Sequence, residues 1–195
     1  FVVFFGEPGP GKTYAWRITE HHLTLVHVEV EDGKSARFGP ILLGSDPPGL
    51  FDEEEDQMIA LWAALSTPER EKVARKGRGV STGAFGDAGV TVSELSPTAQ
   101  EKVKVVYENR LKFFAPAIAD RVRAIVDGAG GLGAMRVAFF GQATKRCADG
   151  GRWDFKLGGP TFLCDYENSR GHIHLSMKGE LETSATPTTQ RSTTR

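Results

Sequence analysis

Five histidines lie in two short stretches of this 195-residue chain, and their type and spacing suggest chemistry most directly. His21, His22 and His27 lie near the start, and His172 and His174 lie near the end. Histidine is the commonest metal ligand in proteins and titrates near neutral pH. Successive side chains of a strand point to opposite faces, so His172 and His174 are expected to share a face. The sequence therefore predicts a metal site where the two ends of the chain meet.

The predicted metal ligands are His21, His22, His172 and His174. In a regular strand His21 and His22 point to opposite faces, so the sequence leaves open which of them binds, unless a bulge turns both inward. Three or four imidazoles suit zinc or copper better than magnesium or calcium. A carboxylate could complete the coordination or orient an imidazole, and the candidates are Glu20, Glu29, Asp165 and Glu167. The alternative is that each histidine is an ordinary hydrogen-bonded residue, which is our expectation for His27.

Residues 6–13 read Gly-Glu-Pro-Gly-Pro-Gly-Lys-Thr and match the phosphate-binding loop pattern G-x-x-x-x-G-K-[ST]. In a P-loop NTPase the loop amides cradle phosphates, the lysine reaches the terminal phosphates and the threonine holds Mg²⁺. The nucleotide-binding candidates would be Gly6, Gly11, Lys12 and Thr13. That fold requires a helix directly after the lysine, whereas residues 14–31 alternate between apolar and polar and predict strand. We therefore expect a hairpin loop and keep the NTPase as a third alternative.

Composition sets the broad class of the protein. Apolar residues make up 39% of the chain and charged residues 25%, with a net charge of −1, which is typical of a soluble globular protein and gives no reason to expect nucleic-acid binding. No apolar run approaches the roughly 20 residues that span a bilayer. The two cysteines, Cys147 and Cys164, are too few for a disulfide framework. The chain shows no signal-peptide pattern, and the sequence leaves its compartment open.

The elements that must position the histidines are predicted from periodicity. Strand-like stretches flank a helical middle, at about residues 1–5, 14–31, 37–43, 135–140, 152–157, 161–166 and 172–177, with helices between about 52 and 126. We predict an α+β fold in which two related antiparallel β-meanders form a sheet or a partly closed barrel, with a helical insertion at about 50–128. Residues 1–180 are expected to be a single domain. The Thr- and Ser-rich tail, 181–195, is expected to be disordered.

A weak internal repeat supports the two meanders. Phe4-Phe5-Gly6, a polar loop and Trp16 are echoed by Phe139-Phe140-Gly141, a polar loop and Trp153. A duplication would relate the two halves by a pseudo-two-fold axis. Such an axis would bring the strand of His21 and His22 near the strand of His172 and His174.

Four strings occur in an order that resembles a known family. They are Trp-Arg-Ile-Thr-Glu-His-His-Leu-Thr-Leu (16–25), Leu-Gly-Ser-Asp-Pro (43–47), Gly-Pro-Thr-Phe-Leu-Cys-Asp-Tyr-Glu-Asn (159–168) and His-Ile-His (172–174). The chain resembles the uncharacterised bacterial and fungal family named domain of unknown function 3500, up to about Met177. The family supplies no activity. The resemblance implies that the four predicted ligands belong to one site.

Three functions remain open at this point. The first is a transition-metal protein that binds copper or zinc through the histidines, and a metal-dependent oxidase or hydrolase if the ion keeps an open position. The second is a non-catalytic module for a small molecule or peptide, with a groove lined by Trp16, Arg17, Trp153 and Tyr166. The third is the P-loop NTPase. The sequence leaves open whether the protein is an enzyme, what its substrate is and how it oligomerises.

Overall fold

The computed structural model describes residues 1–30, 36–79, 89–159 and 161–180, which form a ten-stranded sheet and four α-helices. The strands are β1 (Val2–Gly6), β2 (Tyr14–Glu20), β3 (Leu23–Glu29), β4 (Ala36–Ser45), β5 (Ala74–Arg75), β6 (Val90–Thr91), β7 (Arg136–Gly141), β8 (Trp153–Gly158), β9 (Phe162–Ser169) and β10 (His172–Glu180). The helices are α1 (Asp52–Ala64), α2 (Thr67–Val73), α3 (Pro97–Leu111) and α4 (Pro116–Gly128). Short 3₁₀ turns occur at Val92–Glu94 and Leu132–Ala134. The mixed fold of sheet and helices is as predicted.

The sheet is open. Its strand order is β1-β2-β3-β4-β10-β9-β8-β7-β5, and β6 pairs with β7. Strands β1 to β4 pair in chain order and antiparallel, as do β7 to β10, and β4 joins the two runs by pairing antiparallel with β10. The short β5 lies parallel to β7 at the far edge. The partly closed barrel that the sequence left open is therefore not formed.

Helices α1 and α3 cover one face of the second run of strands. The ring of Trp62 in α1 meets that of Phe139 edge-on at 5.1 Å, and Tyr107 in α3 meets Phe162 at 5.6 Å. In β10 the core side chains are Ile173, Leu175 and Met177, all of them buried. Because strand side chains alternate, the two histidines of β10 lie on the face opposite the helices.

Helix α2 begins with a capping box formed by Ser66 and Glu69. The backbone N–H of Ser66 donates to Glu69 Oε2 at 2.7 Å, and the backbone N–H of Ser96 donates to Glu69 Oε1 at 2.5 Å. These bonds, together with that from the Ser66 hydroxyl, lower the pKa of Glu69 to about 2. The carboxylate thus links the starts of α2 and α3 and helps to fix the helical layer against the sheet.

The predicted disordered tail, 181–195, lies outside the described residues. Within the described residues, no helix is long and apolar enough to cross a membrane.

Candidate metal centre

His21 and His22 form the turn between β2 and β3. The last paired residues of the hairpin are Glu20 and Leu23, so the two histidines are the whole connection. Their rings lie 4.5 Å apart between centroids. The sequence left open whether a regular strand points them to opposite faces or an irregularity turns both inward. In the structure a two-residue turn leaves the pleat and brings both rings to one side.

His172 and His174 open strand β10 and face the same way, as strand alternation predicts. Their Nε2 atoms lie 2.8 Å apart, and their ring centroids are separated by 4.5 Å. Both side chains are partly buried. They therefore present two ring nitrogens at one point on the face away from the helices.

Gly44 of β4 lies between the two pairs of histidines. Its backbone N–H donates to the carbonyl of His22 at 2.9 Å, and in the sheet it is the register partner of His174. A Cβ on Gly44 would stand 2.5 Å from Cδ2 of His22 and 3.1 Å from Cδ2 of His174. The two histidine-bearing segments are therefore not neighbours in the sheet, and they meet because the intervening residue has no side chain.

In the histidine cluster (His21, His22, His172 and His174), the imidazoles of His22 and His174 converge on one nitrogen of His172. Nε2 of His172 lies 3.1 Å from Nε2 of His22 and 2.8 Å from Nε2 of His174. One nitrogen from each of His21, His22 and His172 lies within 4.8 Å of the other two. A ring nitrogen holds one proton or one lone pair, so hydrogen bonds alone satisfy such a convergence poorly. A cation that accepts several lone pairs satisfies it directly.

Asp46, just after β4, approaches the other side of the His172 ring. Its Oδ2 lies 3.5 Å from Nδ1 of His172, and its side chain is 59% exposed. A carboxylate at Nδ1 favours the tautomer with the proton on that nitrogen, which leaves the Nε2 lone pair free for a metal. Asp46 thus has the geometry of a residue that orients a ligand.

Two imidazoles of the cluster, those of His22 and His174, are shifted towards the neutral form. Loss of solvation lowers the pKa of His22, helped by the neighbouring His21 and His172. The pKa of His174 is also lowered, first by burial and then by the other three histidines of the cluster. The neutral form is the one that binds metal.

The carboxylates proposed from the sequence have other partners. Glu20 lies 3.7 Å from the amino group of Phe1, and Glu29 lies 3.3 Å from Nε2 of His27. Glu167 is the register partner of His174, but its Oε1 accepts a 2.8 Å hydrogen bond from Arg78. The remaining candidate is Asp165, which is buried between strands beside Lys156 and Ser176. Asp46, rather than any of these four, contacts a histidine of the cluster.

His27 lies outside the cluster, as expected. Its ring stacks on that of Trp16 at 5.7 Å, in the middle of the β2–β3 hairpin.

The structure does not bring together the aromatic groove proposed from the sequence. Trp16 and Arg17 belong to β2, whereas Trp153 and Tyr166 belong to β8 and β9, on the other side of β3, β4 and β10. Tyr166 is buried, stacks on Trp153 at 4.5 Å and donates a short hydrogen bond to Glu55 of α1. These aromatic residues of β8 and β9 are part of the core.

The segment that matches the phosphate-binding loop connects two antiparallel strands. It runs from Gly6 at the end of β1 to Thr13 before β2, so a strand follows the lysine where a P-loop needs a helix. Lys12 Nζ pairs with Glu7 Oε2 at 2.6 Å. Its backbone N–H donates to the carbonyl of Gly9 at 3.2 Å. The NTPase alternative is therefore wrong on the criterion stated for it, and Gly6, Gly11, Lys12 and Thr13 form a hairpin loop.

Gly44 and Asp46 are parts of the site that were not predicted from the sequence. Both lie in the string Leu-Gly-Ser-Asp-Pro (43–47), which contributed to the family resemblance but carried no assigned role. The signal was a glycine and an acid two residues apart beside a strand end. It could not be interpreted without the pairing of β4 with β10.

A cleft of about 530 Å³ opens beside the histidine cluster. His22 and Gly44 form part of its wall. Most of the remaining wall is apolar: Leu23, Leu43, Leu50, Phe51 and Phe113. Lys112 also lines the cleft, but its Nζ is paired with Glu53 at 2.9 Å and with Glu54 at 3.2 Å. The cleft therefore offers an apolar space next to an imidazole of the cluster.

Comparisons with known proteins place the chain in a family without naming an activity. No curated protein and no solved structure matches it significantly. The model of the family described as protein of unknown function (DUF3500) matches residues 1–180. The chain therefore belongs to the DUF3500 family.

Proposed function

We propose that the protein binds one transition-metal ion through the histidine cluster. The observation that carries the proposal is the convergence of His22 and His174 on Nε2 of His172, at 3.1 and 2.8 Å. His21 supplies a further nitrogen at the exposed side. The carboxylate of Asp46 supports the same assignment because it orients His172 from the opposite side of the ring.

Copper or zinc is the proposed ion, because three or four imidazoles suit these metals better than magnesium or calcium.

One proposed ligand of the metal, His22, lines the apolar cleft, which supports an enzymatic role. A substrate in the cleft would lie against His22 and Gly44. Copper in this position would support oxidation by dioxygen, and zinc would support hydrolysis by a bound water. The apolar wall favours a substrate whose reacting end is attached to an apolar body.

The metal proposal is tested by adding Cu(II) or Zn(II) to chelator-treated protein that carries no His-tag. We expect one tightly bound ion per chain and, for Cu(II), an electron paramagnetic resonance spectrum with nitrogen hyperfine structure. Replacing His172 and His174 together by Ala should abolish both. The matched control is His27→Ala, which removes a histidine of the same sheet outside the cluster. Equal binding by the double variant and the wild type would refute the site.

A non-catalytic binding module is the second candidate, and the cleft is the observation that favours it. A module of this kind would bind apolar molecules without a metal. A fluorescent apolar probe should then bind with the same affinity before and after chelation, and equally well to the His172/His174 double variant. This result, together with no substrate turnover in the presence of either metal, would favour the binding module over the enzyme.

A further inference from the structure

A second pocket, of about 300 Å³, lies where β9 turns into β10 and carries three arginines from three separate segments. Arg78 follows β5, Arg152 precedes β8 and Arg170 lies in the β9–β10 turn. The aromatic side chains of Phe140 and Trp153 also line it. Basic side chains beside an aromatic wall suit a molecule with an anionic end and an apolar body.

The carboxylates near the pocket leave two of the arginines without a counter-charge. Asp154 is buried, and its oxygens accept backbone N–H bonds from Gly79 at 2.8 Å and Asn168 at 2.9 Å. Arg78 pairs with Glu167 at 2.8 Å and lies 3.9 Å from Asp154. Arg152 and Arg170 form no ion pair with any residue of the described ranges. Among the described residues, the lining of the pocket therefore has excess positive charge.

Asn168 joins the two backbone segments that carry Arg152 and Arg170. Its side chain is buried and donates to the carbonyl of Gly151 at 2.8 Å, next to Arg152. Its Oδ1 accepts from the backbone N–H of Gly171 at 3.3 Å, next to Arg170. One buried amide thus anchors both segments that bring an arginine to the pocket.

The backbone of Arg170 supports a functional role. Its φ is +59°, and that of the following Gly171 is +99°. Turns of this kind favour Asn or Gly at the first position, because side chains with a Cβ are strained there. Arg170 is thus held in a strained conformation, has no hydrogen bond to a described residue and lines a pocket. These features are typical of a ligand-binding position.

We propose that this pocket binds the oxyanion group, carboxylate or phosphate, of a small aromatic or otherwise apolar molecule. Arg152 and Arg170 bind the oxyanion, Arg78 with Glu167 forms the side of the pocket, and Phe140 contacts the apolar part. The proposal does not require a metal at the histidine cluster.

The test is calorimetric titration of chelator-treated protein with benzoate, phenyl phosphate and the neutral benzyl alcohol at constant ionic strength. We expect at least one of the two anions to bind, and to bind at least tenfold more tightly than benzyl alcohol. Binding of benzoate alone assigns a carboxylate, and binding of phenyl phosphate alone assigns a phosphate. No preference for either anion over benzyl alcohol would overturn the proposal.

Variants connect the binding to the pocket. Replacing Arg152 and Arg170 together by Gln should weaken binding of the anion at least tenfold. When Lys rather than Gln replaces Arg170, part of that loss should be recovered, because Lys keeps the charge although it lacks the planar fork of the guanidinium. The control Arg17→Gln removes an exposed arginine of β2 and should change nothing. Unchanged binding in the double variant, with its circular dichroism like that of the wild type, would overturn the site. Retained anion binding in the His172/His174 double variant is expected, which separates this proposal from the metal.

Discussion

Among single residues, the arrangement of the imidazoles depends most on Gly44. The rings of His22 and His174 occupy the space that a side chain would fill. Protein interiors are packed so closely that one added methyl group displaces its neighbours or destabilises the fold. Gly44 is thus a requirement of the site although it offers no ligand atom.

Replacing Gly44 by Ala should weaken metal binding about tenfold or more, because the new Cβ displaces the rings of His22 and His174. Competition titration with a chelating dye measures the change. The control is Gly128→Ala at the end of α4, where a Cβ meets no atom within 4 Å and the backbone φ is not positive. Equal affinity in the Gly44 variant and the wild type would show that the rings adjust freely, against this account.

The buried carboxyl group of Asp165 makes the free energy of unfolding depend on pH. Burial raises the pKa of Asp165 from 3.8 to about 7, although Lys156 opposes the shift. Between these values the unfolded chain loses a proton that the folded chain keeps, so stability falls as pH rises from about 4 to about 7 and then levels off. From pH 5 to pH 8 this group alone lowers the unfolding free energy by about 2.5 kcal/mol.

The change Asp165→Asn should remove that decline, so the difference in unfolding free energy between pH 5 and pH 8 becomes smaller by about 2 kcal/mol. Urea denaturation at the two pH values measures it. A variant whose stability falls between them as steeply as that of the wild type would show that Asp165 is ionised in the folded protein at pH 5.

Between elements, a buried pair of side chains holds α1 to the sheet. Glu55 of α1 accepts a short hydrogen bond from Tyr166 of β9 and a 3.0 Å bond from the backbone N–H of Cys147. Glu55 is 1% exposed, and burial raises its pKa despite these bonds. A carboxyl group in such a place needs both donors.

Replacing Tyr166 by Phe should lower the unfolding free energy by about 1–3 kcal/mol, because Glu55 Oε1 then lacks its donor. The matched control is Tyr14→Phe in β2, whose hydroxyl bonds to no residue of the described part of the chain and whose loss should cost less than about 0.5 kcal/mol. Urea denaturation of the three proteins compares the two changes. Equal effects in the two variants would contradict the role of the Tyr166–Glu55 pair.

The strands and helices were largely predictable from the sequence, whereas the pairing of strands from distant parts of the chain was not. Alternation predicted β10 and the shared face of His172 and His174. The pairing of β4 with β10 depends on contacts between residues more than 120 positions apart, which no local pattern encodes. Gly44 and Asp46 could therefore not be assigned. The proposed duplication of the two meanders stays a prediction.

Over the whole molecule, the histidine cluster joins parts of the chain 150 residues apart. A metal there would tie the β2–β3 hairpin to β10. It would bind the folded chain far better than the unfolded one, so it should stabilise the fold by mass action.

A free metal concentration 1,000-fold above the dissociation constant should raise the unfolding free energy by about 4 kcal/mol. Chemical denaturation with buffered metal and with chelator measures the difference. The double replacement of His172 and His174 by Ala should abolish this stabilisation, and His27→Ala should keep it. A stabilisation of equal size in the double variant would place the metal elsewhere.

The most direct test of the central claim is the metal content of the protein, expressed without a His-tag and analysed by plasma mass spectrometry before and after chelation and reconstitution. The account predicts close to one copper or zinc ion per chain in the wild type and in His27→Ala, and almost none when His172 and His174 are both replaced by Ala. No bound metal in the reconstituted wild type, or equal metal in the double variant, would contradict it.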